Sequence, residues 1–388
     1  MKREGTKNLR FTNVFLENWK NFAKIDVDLQ RRVFLVGPNA SGKSNLWDVF
    51  RFLHDIVAVG GGFQNAVQDK RGGVSSLRCL AARRYSDIIV KVSIGNDDNP
   101  AFWGYELHFN QDNLRRPIIK AEKVMKDGTL ILSRPDSDDR NDPKRLTQTY
   151  LEQVYANQPF REVADFFLSV HYLHIVPQLV REPERSVGKT KDPFGGDFLE
   201  QVARTTDRTR TSRLRRIQDA LRFAVPQLSA LELHRDPVRN TWHLRGKYEH
   251  WRPRGAWQTE EQFSDGTLRL MGLLWASLEG TGPLLLEEPE LSLHPEVIRF
   301  IPQMFARIQR RVGRQILIST HSPDLLQDEG IGLDEVLLLQ PGSEGTSVYP
   351  ASHFQQIREL LTGGLTLAEA VMPATRPQNV RQLAFFGD

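Results

Sequence analysis

The stretch Gly37-Pro38-Asn39-Ala40-Ser41-Gly42-Lys43-Ser44 limits what this chain can fold into more than any other. It fits G-x-x-x-x-G-K-[ST], a pattern that carries meaning only between a strand and a helix. Both flanks supply that context. Val33-Phe34-Leu35-Val36 is an apolar run with β-branched ends, which reads as a buried strand. From Asn45 to Val57 the apolar residues Leu46, Val49, Phe50, Leu53 and Val57 recur at helical spacing. Two glycines let the backbone fold round a polyphosphate, and the loop N–H groups and helix N-terminus favour its negative charge. Lys43 supplies a point charge for the β- and γ-phosphates and Ser44 a hydroxyl for magnesium. The expected ligands are therefore a nucleoside triphosphate and Mg2+, and the expected contacts are Asn39, Ala40, Ser41, Gly42, Lys43, Ser44 and Asn45.

A second stretch answers the first. Pro283-Leu284-Leu285-Leu286-Glu287-Glu288-Pro289 is a buried strand that ends in two carboxylates. Acids at such a place are costly unless they do chemistry. Glu287 is expected in the magnesium shell, and Glu288 is placed to polarise the attacking water as a general base. Ser264-Asp265-Gly266 opens a helix, Leu268 to Leu278, about 20 residues earlier. Ser264 can cap that helix, and the glycine allows a phosphate to approach the backbone. Gln315 to Pro323 is another buried strand, and its end carries His321, expected to sense the γ-phosphate.

Length and composition bound the rest. The 388 residues exceed a typical single core, so one large domain with an insertion, or two domains, is expected. With 39% hydrophobic and 26% charged residues the chain is globular. No apolar run approaches the ~18 residues of a membrane span. The single cysteine, Cys79, excludes an internal disulfide and a cysteine-built metal site, and a cytoplasmic location is expected. Net charge is +4 but uneven. Residues 202–254 carry 13 Arg and Lys against 5 Asp and Glu, an excess that points to an anionic partner such as nucleic acid, or to a solvated helix face.

In chain order, 9–16 and 25–29 read as strands joined by a turn through Glu17 to Phe22, where Lys20, Asn21 and Phe22 could approach a base or ribose. Gly60 to Gly73 reads as a mobile loop. Strand alternation follows at 87–94, 104–109, 118–125 and 129–132, with a hairpin turn at Lys126-Asp127-Gly128-Thr129. Ser133 to Pro143 is acidic and reads as exposed. Helices are expected at 144–155, 161–169 and 198–223, strands at 171–176, 228–235 and 241–244, and a loop at 181–196. The basic helix carries Arg213, Arg215 and Arg216. Trp251, Arg252, Arg254 and Trp257 lie in a later loop of basic and aromatic residues, a mix that can grip nucleic acid.

The set GPNASGKS, SDGT, LLLEEPELSLHP and ISTHS resembles ABC-type ATPase heads, in particular the RecF, SMC and OLD branch of prokaryotic AAA-family proteins. The opening ENWKNF resembles that branch's N-terminal signature. The likeness covers residues 9–57 and 258–340. It implies an α/β fold, an ABC-type P-loop NTPase head with a mixed central sheet, an N-terminal antiparallel sheet and an inserted α/β lobe. The implied division is 1–57 and 258–350 for the head, 58–257 for the antiparallel strands and basic lobe, and 351–388 for a helix and tail. It also implies that Ser264, Asp265 and Gly266 form a signature loop facing ATP on a second protomer, hence a homodimer or larger assembly. Glu290 to His294 would be the D-loop. A glutamine completes the magnesium site in such heads, here Gln178 or alternatively Gln148. Glu287 replaces the usual Asp and is one methylene longer. Only 67 residues follow His321 and contain no D-x-D pair, so the Toprim nuclease of OLD proteins is not expected. Stand-alone ATPases of this type resemble subunits of anti-phage systems with a separate effector protein. A RecF-like repair ATPase that binds DNA directly is the alternative.

Overall fold

The computed structural model describes residues 9–81, 86–182, 192–238, 240–249 and 256–376, with 382 and 385. Fifteen strands occur among them. In chain order they are β1 (Arg10–Trp19), β2 (Phe22–Asp28), β3 (Arg32–Val36), β4 (Ile88–Gly95), β5 (Trp103–Gln111), β6 (Pro117–Lys126), β7 (Thr129–Arg134) and β8 (His171–Leu173), followed by β9 (Leu228–Arg235), β10 (Trp242–Tyr248), β11 (Ala256–Thr259), β12 (Leu284–Glu287), β13 (Ile316–Thr320), β14 (Val336–Gly342) and β15 (Gly345–Pro350). The chain divides into two compact units, 1–171 with 281–285 and 306–388, and 172–280 with 286–305. The chain passes from one unit to the other within β12 and again at the start of β8.

The first unit carries an antiparallel sheet of order β2-β1-β4-β5-β6-β7. A mixed sheet of order β15-β14-β3-β13-β12-β8 begins in the same unit. β13 and β14 run parallel to β3, and β15 returns antiparallel to β14. All five residues of β3 are buried, as its unbroken apolar run requires. The helix Lys43–Val57 packs against β1 and β5 through aromatic pairs. Phe11 lies 4.4 Å from Phe50, Trp19 lies 5.3 Å from Phe52, and Phe52 lies 5.7 Å from Phe109. Gln315, 1% exposed, spends its side chain on the main chain of Phe11 and Gln30 and so ties the two sheets together.

The second unit holds an antiparallel sheet, β11-β10-β9, and the helices Phe198–Arg204, Asp207–Ala224 and Asp265–Leu278. The α/β fold class is as expected, with its mixed sheet and N-terminal antiparallel sheet.

Several local expectations need correction. The glycine-rich stretch 60–73 is mostly helix, Phe63–Arg71, because Phe63, Ala66 and Val67 share a buried face and the glycines only mark its ends. The segment 133–143 is not simply exposed. Asp139 and Arg134 are buried against each other, and Asp136 caps the short helix Ser137–Asn141. No long helix spans 144–155, because the Tyr150 and Leu151 N–H groups donate to the buried Glu122 carboxylate instead of to a helical turn. The basic helix breaks at Thr205-Thr206. Trp251, Arg252 and Arg254 lie outside the described residues. No helix among those described is long and apolar enough to cross a membrane.

Candidate nucleotide site

The loop 37–44 leaves β3 and enters the helix Lys43–Val57 as anticipated. Gly42 has φ 97°, a left-handed conformation that suits glycine, and Ala40 also sits at φ 60°. The Lys43 Nζ folds back onto the carbonyls of Gly37 (3.1 Å) and Pro38 (3.2 Å). Asn39, Ala40 and Ser44 are exposed, while Ser41 and Lys43 are buried. The Ser41 hydroxyl is buried without a hydrogen-bond partner among the described residues. An orphan of this kind is costly inside a protein and is the type of group an anion's oxygen satisfies. The loop residues thus fit a polyphosphate. Ser44 Oγ, at the start of the helix, fits a hard, oxygen-seeking cation such as magnesium.

The register of the sheet places the third expected element. Thr320 of β13 is paired with Val36 of β3, so His321 and Gly37 leave adjacent parallel strands one step later. The Thr320 hydroxyl accepts the Ser322 N–H at 2.9 Å and fixes the turn after His321.

The N-terminal hairpin is bonded to the loop and to the helix that follows it. Phe22 is wholly buried, Lys20 pairs with Asp48 at 2.7 Å, and Asn21 bonds to the loop itself. These three residues are therefore engaged with protein, which corrects the expectation that they approach a base or ribose. Asp48 and Asp55, on the same helix, hold Arg71. Burial raises both carboxyls, but Arg71 with Lys20 outweighs it at Asp48, and His54, Arg71 and Lys70 outweigh it at Asp55, leaving both below the usual carboxylate range.

In the second unit, Glu287 ends β12. Its carboxylate accepts a hydrogen bond from the Tyr172 hydroxyl, and its carbonyl lies 3.1 Å from His174 Nδ1. Glu288 follows with φ 45°, a left-handed conformation unusual for a side chain of this size. Ser264 caps the helix Asp265–Leu278, accepting the Thr267 N–H at 3.2 Å. Asp265 is held by Arg181 at 2.6 Å, and the same guanidinium bonds the Phe263 carbonyl at 2.7 Å. A Cβ on Gly266 would fall 2.4 Å from the Ser292 carbonyl, so only glycine fits where this loop meets the segment 290–294. Arg269, one turn into the helix, has its affinity for a proton lowered by burial against the pull of Asp265, Glu288 and Glu290. Gln178 lies exposed in the short helix Pro177–Arg181. Gln148 lies in the first unit, where its carbonyl accepts from Arg134. Tyr172, His174 and Arg181 were not singled out from the sequence. Only the alternation of Tyr172 and His174 along a strand could have signalled that they share a face.

These features define a P-loop NTPase head of α/β fold. The chain belongs to the family described as "AAA domain, putative AbiEii toxin, Type IV TA system", whose profile matches residues 32–327. No curated protein matches the chain in sequence. Its fold is similar to the crystal structure of the SMC head bound to the C-winged helix domain of ScpA, with a TM-score of 0.52 and 11% identity over 87% of this chain and 96% of that one. It is equally similar, at a TM-score of 0.52 and 10% identity, to the SMC head domain with an extended coiled coil bound to the C-terminal domain of ScpA derived from Pyrococcus furiosus. That match covers 91% of this chain and 100% of the other.

Proposed function

We propose that this protein is a magnesium-dependent ATPase whose two copies close over two ATP molecules and thereby control a separate effector, a nuclease or toxin, in anti-phage defence. The observation that carries the reading is the loop 37–44 at the end of β3, with a buried Ser41 hydroxyl that has no hydrogen-bond partner among the described residues and an exposed Ser44. On this reading 1–57 and 258–350 supply the nucleotide-binding elements of the head, and 58–257 is not a separate insertion throughout, since it also adds β4 to β7 to the β1–β2 sheet and β8 to the mixed sheet. Lys43 and the loop N–H groups hold the phosphates. Ser44, Glu287 and Gln178 would hold magnesium, which neutralises phosphate charge when bound. Glu288 takes a proton from the attacking water, and His321 faces the transferred phosphate. Ser264, Asp265 and Gly266 reach the nucleotide of the other protomer. The family's description, with its type IV toxin–antitoxin system, supports a role in defence.

The test is sedimentation or light scattering of the Glu288→Gln protein with ATP and magnesium. We expect a closed dimer that accumulates with ATP and is opposed by Ser264→Arg. An oligomer that forms without nucleotide and ignores both substitutions refutes closure over ATP.

A second reading, direct nucleic-acid binding as in RecF-like repair, is favoured by one observation. On the helix Asp207–Ala224, Arg208, Arg215 and Arg216 are exposed and have no acidic partner among the described residues. Arg213 is not part of that face, since its guanidinium lies 5.1 Å over the Trp275 ring. DNA binding by the purified protein alone supports repair, and co-purification of a companion protein supports effector control.

A further inference from the structure

A side chain of the N-terminal hairpin, Asn21, holds one carbonyl of the phosphate loop. A loop that aims its N–H groups at an anion turns carbonyls away from it, and each of these needs a donor. For Ser41, the residue before the helix cap, the donor is the Asn21 carboxamide, at 2.8 Å from Nδ2. A second Nδ2 hydrogen bond goes to the Thr346 hydroxyl, also at 2.8 Å, and Oδ1 accepts from the Asn45 amide at 2.8 Å. The Ser41 carbonyl can only accept, so the orientation of the Asn21 amide is decided by its partners. Its own main chain is pinned too, because its carbonyl accepts the Thr346 N–H at 2.8 Å. Trp19, two residues earlier, donates its indole N–H to the Asn45 carbonyl at 2.9 Å.

There is no slack between this side chain and the loop. A Cβ on Gly42 would fall 2.0 to 2.5 Å from the Asn21 carboxamide atoms. The loop residues exposed to an incoming ligand are Asn39, Ala40 and Ser44. Asn21 bridges the loop and β15.

We infer that Asn21 is a positioning residue. Its carboxamide holds the phosphate loop in its anion-ready form and ties it to β15 through Thr346, so that it sets nucleotide affinity rather than the rate of the chemical step. This inference rests on the nucleotide reading above. The physical reason is preorganisation: a loop already shaped loses less freedom when the ligand arrives.

The test compares Asn21→Asp, Asn21→Leu and Thr346→Val with the parent. ATP and ADP affinities are measured with a fluorescent analogue, alongside the ligand-free thermal midpoint, KM and kcat. Asp has the shape of Asn and keeps the acceptor for Asn45 but cannot donate to Ser41. Asp also brings a negative charge beside an anion site, so the uncharged Asn21→Leu is the arm that separates lost hydrogen bonding from charge repulsion. The positioning role predicts affinity about tenfold weaker for both Asp and Leu, the scale of one buried carbonyl left unpaired. KM should rise in parallel while kcat stays within about threefold, and Thr346→Val should weaken affinity only about twofold to threefold. Asn21→Asp binding within twofold of the parent overturns the inference, as does Asn21→Leu that lowers the thermal midpoint but leaves affinity unchanged. A parent protein that binds no nucleotide at all overturns the nucleotide reading itself, and this inference with it.

Discussion

Replacing Arg71 by Met should destabilise the protein by about 3 kcal/mol, the lower end of what breaking a buried ion pair costs. The guanidinium is 5% exposed and spans two carboxylates. It bonds both oxygens of Asp48 at 2.8 and 2.9 Å and one of Asp55 at 2.9 Å. It also donates to the Ala66 carbonyl at 2.8 Å and lies 5.3 Å over the Phe52 ring. Met keeps the apolar stem and removes the charge, so Asp48 (9% exposed) and Asp55 (12% exposed) lose the cation they share. Lys20 remains on Asp48 and Lys70 on Asp55, which is why the lower figure applies. For a domain of this size ~2–4 °C per kcal/mol gives a fall in thermal midpoint of roughly 6–12 °C. Adding Asp48→Asn and Asp55→Asn should restore at least half of it, because the uncompensated charge is then gone. Acid supplies a second check. In the parent both carboxyls titrate below their unfolded values, so their contribution is present above the unfolded pKa and lost as pH falls through the folded one. In Arg71→Met protonation relieves the unpaired charges, so the gap between the two proteins should narrow as pH falls. A midpoint within 2 °C of the parent, or no recovery in the triple variant, refutes the reasoning.

Lys43→Ala should reduce ATP binding or turnover by at least about 100-fold, since it removes the one side-chain charge in the phosphate loop; activity within twofold of the parent sinks the loop's assignment. Reversing Arg208, Arg215 and Arg216 to Glu should weaken nucleic-acid binding and flatten its salt dependence by roughly three units in the log–log slope, one per lost phosphate contact. Unchanged affinity at low salt identifies these arginines as a solvated face. Arg213→Glu should instead lower thermal stability, because that guanidinium lies over Trp275.

The loop 37–44, its strand and its helix were legible because local pattern and chemistry agree there. An apolar strand, two glycines and an amphipathic helix admit one arrangement. The ends of β12 and β13 were legible for the same reason, since polar residues at the close of a buried run stand out. What escaped were side chains whose role comes from partners far away in sequence. Asn21 reads as a hairpin turn until Ser41 and Thr346 close on it. Arg71 reads as a loop cation until Asp48 and Asp55 meet it. Arg213 sits in the same run as Arg215 and Arg216, and only the packing of two helices separates it from them. The misplaced helix at 144–155 has the same cause: its apolar spacing was adequate, but a buried carboxylate, Glu122, claimed the N–H groups of Tyr150 and Leu151.

Glu288 offers a test in which stability and chemistry move apart. Its φ of 45° turns the chain directly after β12, in a region where any side chain other than glycine pays roughly 1–2 kcal/mol. Glycine at this position would relieve that strain and lose some of the gain through a more flexible unfolded chain. A glutamate kept there points to a role for its carboxylate, since strain of this kind collects at functional sites. Glu288→Gln keeps the strain, the size and the hydrogen-bonding atoms but removes the basic oxygen, so turnover should fall by about 10²–10⁴ with little change in thermal midpoint or ATP affinity. Glu288→Gly should lose as much turnover yet be at least as stable as the parent. If Glu288→Gln hydrolyses ATP within about threefold of the parent, the general base lies elsewhere. If Glu288→Gly is less stable than Glu288→Gln, the left-handed turn is not a strain held for chemistry, and the glutamate side chain supports the fold instead.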